Sequence, residues 1–151
     1  MGGDGCESTP AEGFLVWSTG WLLNGAAREV ALEMEEALKA DDLRWRDYGV
    51  LSVLEEAGPL SQQEIGRRLA VDRSTMVHVI DVLEQRGLIA RGRDRTDRRA
   101  YSIELTDAGR ALLVEVLHPV TADVHNRVIG RLTCEDRAHL NRILAQLVGG
   151  A

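Results

Sequence analysis

Six arginines (86, 91, 93, 95, 98 and 99) and two aspartates (94 and 97) stand between positions 86 and 99. The local charge is +4 in a chain of net charge −6, which leaves −10 for everything else. Positive charge gathered on so short a stretch draws in phosphate even when the whole chain is acidic. A second group, Arg73, Ser74, Val77 and His78, falls on one face of a helical pattern. These side chains, near the start of such a helix, are of the kinds that contact base edges in the major groove. Enzyme chemistry finds no such support. The four histidines (78, 118, 125 and 139) and two cysteines (6 and 134) form neither a Cys-x-x-Cys nor a His-x-x-x-His pattern, and the sequence has no Gly-rich phosphate loop or nucleophile elbow. The chain is therefore not expected to be an enzyme, to bind a structural metal or to need a cofactor.

The elements that must position these groups are legible around them. Asp72 is the expected N-cap of a helix in which Met76, Val79, Ile80 and Leu83 recur on one face, opposite Arg73, Ser74, Val77 and His78, and Gly87 ends it. Upstream, Ser61 and Glu64 have the spacing of a capping box opening a short helix over Leu60–Leu69, with Ile65 and Leu69 inward and Ala70-Val71 as the turn. Free backbone donors at Ser61 and Gln62 make that helix start a candidate phosphate contact. Downstream, Leu88–Ala90 and Tyr101–Leu105 read as two short strands joined by the arginine-rich loop. Helix, turn, helix and basic hairpin in this order predict a winged helix-turn-helix, mainly α with a small β-wing, and point to DNA.

The flanks bound the architecture. Residues 1–12 read as a disordered tail, 13–42 as an N-terminal dimerisation helix, 43–105 as the winged helix-turn-helix lobe and 106–151 as C-terminal dimerisation helices. Leu23, Ala27, Val30, Met34 and Leu38 form one stripe of the first helix; Leu113, Leu117, Val120, Val124 and Val128, then Leu140, Ile143, Leu144 and Leu147, form stripes of the last two. Thr106 and Thr133 are their expected caps, and Pro119 should bend or interrupt the first of them. These stripes exceed what a small winged helix needs for its own core, so a second subunit is expected to cover them. The tail has neither a basic n-region nor an apolar core, and no apolar run approaches the ~20 residues of a membrane span, so a cytoplasmic protein without a membrane partner is expected. Two cysteines in a reducing compartment read as free thiols.

The pattern Ser61-x-x-Glu64-Ile65, Val71-x-x-Ser74-Thr75, Ile80-Asp81-x-Leu83-Glu84-x-x-Gly87-Leu88-Ile89-x-Arg91, Asp97-Arg98-Arg99 and Leu105-Thr106-x-x-Gly109 resembles the MarR (multiple antibiotic resistance regulator) family of bacterial transcription factors. The resemblance covers about residues 43–109. It implies a homodimer with interlocked terminal helices, binding a pseudopalindromic double-stranded operator, and a sequence-specific transcriptional regulator that acts as a repressor released by a small ligand. In the wing it implies that Arg99 enters the minor groove and that Asp97 orients it, with Arg95 and Arg98 as further DNA contacts. A narrow minor groove does favour an inserted guanidinium. Val82 departs from the pattern, since many members have a basic side chain there. Members bind phenolic or aromatic acids in a cleft beside the dimer helices, and Trp17, Trp21, Trp45, Arg46 and Tyr48 are the residues to line it, core packing being the alternative. Urate-sensing members carry a Trp-Asp pair where Tyr48-Gly49 stands, which argues against urate. Two other readings remain: a redox-sensing regulator using Cys6 or Cys134, and a winged-helix module whose wing meets an acidic protein.

Overall fold

Ser18 opens the computed structural model, which describes residues 18–93 and 101–148. Its hydroxyl accepts from the Trp21 amide at 3.3 Å and caps helix α1, Thr19–Leu38. A 3-10 turn, Lys39–Asp41, prolongs α1 and leads to Asp42, left-handed at φ 52°. Helix α2, Trp45–Ala57, starts where the Arg44 amide donates to Asp47 Oδ2 at 2.7 Å. Helix α3, Gln62–Leu69, is capped by Ser61, which accepts from the Glu64 amide at 3.2 Å. Only this half of the expected capping box forms. The Glu64 carboxylate is instead held by Arg67 and Arg68, whose hydrogen bonds keep it ionised down to a pKa of about 2.

Ala70 takes the left-handed conformation at φ 51° and turns the chain into helix α4, Arg73–Gln85, where Asp72 accepts from the Thr75 amide at 2.9 Å. Gly87, at φ +70°, ends it. Strand β1, Ile89–Arg93, pairs antiparallel with β2, Tyr101–Leu105, in a register that sets Ile89 against Leu105 and Arg93 against Tyr101. The first strand thus begins one residue later than expected and runs further into the arginine-rich loop. Leu60 extends the hairpin by a bridge to Ile103. Thr106 then caps α5, Asp107–Leu112, which passes through a π segment, Leu113–Leu117, into α6, His118–Val128; Thr133 caps α7, Cys134–Leu147. The interruption expected at Pro119 takes the form of that π segment. A proline supplies no amide to the helical ladder, and the Thr121 hydroxyl approaches the Leu117 carbonyl at 2.9 Å.

The core is built around α2 and α4. Val50, Leu51 and Leu54 meet Ile65, Met76, Val79, Ile80 and Leu83, and the strand residues Leu88, Ile89 and Ile103 close one side while Leu113 and Leu117 close another. α1 packs chiefly against α6 and α2, where Met34, Leu38 and Val124 are buried. Its N-terminal half is bare: Trp21 is 61% exposed and Leu22 49%, and α7 buries no residue at all.

One contact fixes the exit from the hairpin. The Leu88 carbonyl accepts from the Thr106 amide at 3.1 Å, and a Cβ on Gly109 would be driven into that same oxygen. Backbone on both sides leaves no flexible side chain to yield. Gly109→Ala should therefore destabilise the fold by ~2 kcal/mol, a typical overpacking cost, and lower Tm by ~5 °C in thermal unfolding. An unchanged Tm would mean that α5 is free to move off the hairpin.

Candidate nucleic-acid interface

Helix α4 has two faces because its inner stripe satisfies the core completely. Met76, Val79, Ile80 and Leu83 are buried, and Arg73, Ser74, Val77 and His78 are all exposed. At its start the Ser74 hydroxyl donates to Asp72 Oδ1 at 2.6 Å, beside the Thr75 amide. These bonds hold the Asp72 carboxyl well below the usual carboxylate range. They also commit the one hydroxyl proton of Ser74, so its oxygen is presented outward as an acceptor, the complement of an exocyclic amino group on a base. Arg73 shares a cleft of about 840 Å³ with Ser61, Gln62 and Arg67, so the starts of α3 and α4 stand side by side.

The arginine-rich patch is less free than its sequence suggests. Arg91, at the base of the hairpin, donates through Nη2 to Asp81 Oδ1 at 2.5 Å and through Nη1 to Glu84, both on α4. The bond to Asp81 raises an already high guanidinium pKa. Arg86 donates to the carbonyls of Asp42 and Asp41 at 2.6 and 2.8 Å. Two of the six arginines thus serve the protein's own frame. Sequence gave no sign of the second, since its partners lie 44 and 45 positions away. Of the other four arginines, Arg93 is the last residue of β1, and Arg95, Arg98 and Arg99, with Asp97, lie outside the described residues.

A cavity of about 580 Å³ separates α4 from the end of α1. Thr75, His78, Val79 and Val82 form one wall, and Leu32, Glu35, Asp42, Arg44, Arg46 and Asp47 stand opposite. Val82 is half-buried here rather than aimed at solvent, so its position serves the cavity wall. Asp47 is only 6% exposed, and burial pushes its carboxyl up, against the Arg44 amide bond and the charges of Arg44 and Arg86. Its importance was readable only as an acid three residues into α2.

The aromatic set divides. Trp45 stacks on Tyr48 with ring centroids 5.5 Å apart and planes 15° from parallel, and Trp45 and Arg46 line a smaller cavity of about 390 Å³ with Glu35 and Leu69. Tyr48 faces the other way, its hydroxyl 3.2 Å from that of Thr121 and its ring edge-on to His118. Trp21 lines none of the three cavities, and Trp17 lies outside the described residues. Cys134 is exposed at the start of α7, and Cys6 lies outside the described residues.

Comparison with known proteins agrees with this geometry. A sequence model of the MarR family matches residues 41–100. The HTH-type transcriptional regulator TtmR of Methylorubrum extorquens is 41% identical over 87 residues, 58% of this chain but only 45% of that protein, so the chain matches less than half of that relative's length. The HTH-type transcriptional repressor MdtR of Bacillus subtilis is 32% identical over 129 residues, 85% of this chain and 83% of that protein. Among solved structures, the repressor CouR bound to a 23-mer DNA duplex superimposes with a TM-score of 0.80 at 30% identity, covering 93% of this chain and 99% of that one. CouR of Rhodococcus jostii RHA1 bound to p-coumaroyl-CoA gives 0.82 at 28% identity over 89% and 94% of the two chains. A likeness that runs through the flanking helices as well as the winged lobe leaves one conclusion: the chain belongs to the MarR family of transcriptional regulators.

Proposed function

We propose that the chain is a homodimeric, sequence-specific DNA-binding repressor, acting in the cytoplasm and released from a pseudopalindromic operator by a small aromatic acid. The observation that carries the DNA reading is the two-sided α4, whose buried stripe leaves Arg73, Ser74, Val77 and His78 as an exposed face. Bare apolar residues on α1 and an α7 that buries nothing support the dimer, which would set two such helices about one DNA turn apart. In this reading Ser61 and Gln62 meet phosphate, Arg95 and Arg98 flank the minor groove, and Arg99, oriented by Asp97, enters it. The wing as a protein-docking element is the weaker alternative, because it leaves the α4 face without a task.

The test separates the two DNA elements. Arg99→Ala should weaken operator binding at least ~10-fold in gel-shift titrations, since a good base contact is worth ~1–3 kcal/mol, and Asp97→Ala should cost less. Arg73→Ala and His78→Ala should instead relax base preference in a selection from random duplexes. Undiminished affinity in Arg99→Ala removes the wing assignment, and a monomer at micromolar concentration in sedimentation removes the dimer.

For the effector, the best-supported place is the pair of cavities that share Arg46 and Glu35, where Trp45 offers an aromatic face and Arg46 a cation for a carboxylate. A ligand seated there would press between α1 and α4. The solved complex of CouR with p-coumaroyl-CoA supports an effector with an aromatic acyl group. A screen of phenolic acids should find one that quenches tryptophan emission and releases DNA over the same concentration range, and DNA should weaken its binding by the same factor. Arg46→Ala should abolish the release; equal release from that variant would place the effector elsewhere.

A further inference from the structure

Arg86 ends helix α4 and is exposed, yet both terminal nitrogens of its guanidinium are held by main chain: Nη1 donates to the Asp42 carbonyl at 2.6 Å and Nη2 to the Asp41 carbonyl at 2.8 Å. Those oxygens terminate α1 and its 3-10 extension. The last carbonyls of a helix lack partners within it, and Asp42 leaves the helix at φ 52°. Arginine alone among side chains carries donors in a rigid planar fork able to take two carbonyls at once.

What the fork joins gives it significance. α4 packs chiefly on α2, α3 and β1, and α1 on α6 and α2. Between α4 and the end of α1 lies the cavity of about 580 Å³, with Thr75, His78 and Val82 on one wall and Asp42 and Arg44 on the other. The fork therefore ties the end of α4 to the end of α1 beside that cavity, where Leu38 and Leu43 already meet the core stripe of α4. Its far anchor is the end of α1, whose opposite end carries the bare Trp21, Leu22 and Leu23, exposed by 61, 49 and 40%.

We propose that Arg86 is a positioning residue for DNA binding: its fork onto the Asp41 and Asp42 carbonyls fixes each recognition helix against α1, and so sets the half-site spacing that the dimer accepts. The inference rests on the dimeric DNA-binding reading above. Adding or removing one base pair shifts a half-site by ~3.4 Å along the duplex and by about a tenth of a turn around it. A rigidly held pair of recognition helices pays for that misfit, and a loosely held pair does not.

The experiment uses duplexes selected from random DNA by the wild-type protein, then rebuilt with one base pair added or removed between half-sites and as a single half-site. Wild type should prefer the selected spacing by ~10-fold or more, the scale of one charged hydrogen-bonding group. Arg86→Ala and Arg86→Lys should both lose most of that preference while binding the single half-site within ~2-fold of wild type. Lysine keeps the positive charge for phosphate but not the fork, so it separates positioning from electrostatics; it also carries the test if the alanine variant fails to fold. Spacing preference retained in Arg86→Lys, or equal loss on every duplex, overturns the proposal while leaving the regulator reading intact. Failure of the wild type to select any duplex overturns both.

Discussion

Everything in this molecule depends on α4 being half core and half surface. Met76, Val79, Ile80 and Leu83 supply the apolar area that closes the core over Val50, Leu51 and Leu54, and burying each such side chain stabilises the fold by ~1.5–3 kcal/mol. The helix cannot rotate about its axis without exposing that stripe. Rotation is also what would hide Arg73, Ser74, Val77 and His78, so the same apolar contacts that stabilise the fold keep the outer face out. The caps act in the same sense: Asp72 and Gly87 fix where the helix begins and ends, and hence which residues reach its exposed start.

Electrostatics refines this placement. Asp81 and Glu84 lie on the last turns of α4, where carboxylates would repel phosphate, and Arg91 pairs with both from the hairpin base, offsetting half of their charge. The exchange does two things at once. It reduces the acidic charge on α4, and it ties that helix to strand β1. Among the described residues of the arginine-rich stretch, charge is thus arranged by pairing, with Arg91 on two carboxylates and Arg86 on two carbonyls.

Local signals made much of this legible. The cap at Asp72, the stripe from Met76 to Leu83 and the stop at Gly87 are all encoded within fifteen or so residues, and the structure places them as the spacing demands. The failures have a common physical cause. Glu64 was expected to reach back to its own helix start but is taken by two arginines on the next turn, because charged hydrogen bonds outcompete a neutral amide. Arg86 and Arg91 read as free cations from sequence, and both find partners on other elements. The aromatic set was grouped by type, and the fold sends Tyr48 towards Thr121 and His118 while leaving Trp21 on bare helix. Long-range partners and side-chain direction are not written in local spacing.

The terminal helices connect these levels. A bare α1 start and an unburied α7 carry apolar surface that a lone chain leaves in water, an unfavourable state that the proposed second subunit would relieve. On the dimeric reading proposed above, α1 is held by a partner at one end and by α4 through Arg86 at the other, with a cavity beside the second. A helix held at both ends transmits displacement, whereas one held at a single end absorbs it. On the reading proposed above, a ligand that wedges α1 away from α4 would either break the tie or move α4 with it, and so change the spacing of the exposed faces. By linkage, DNA that fixed the spacing would oppose such a ligand by the same factor.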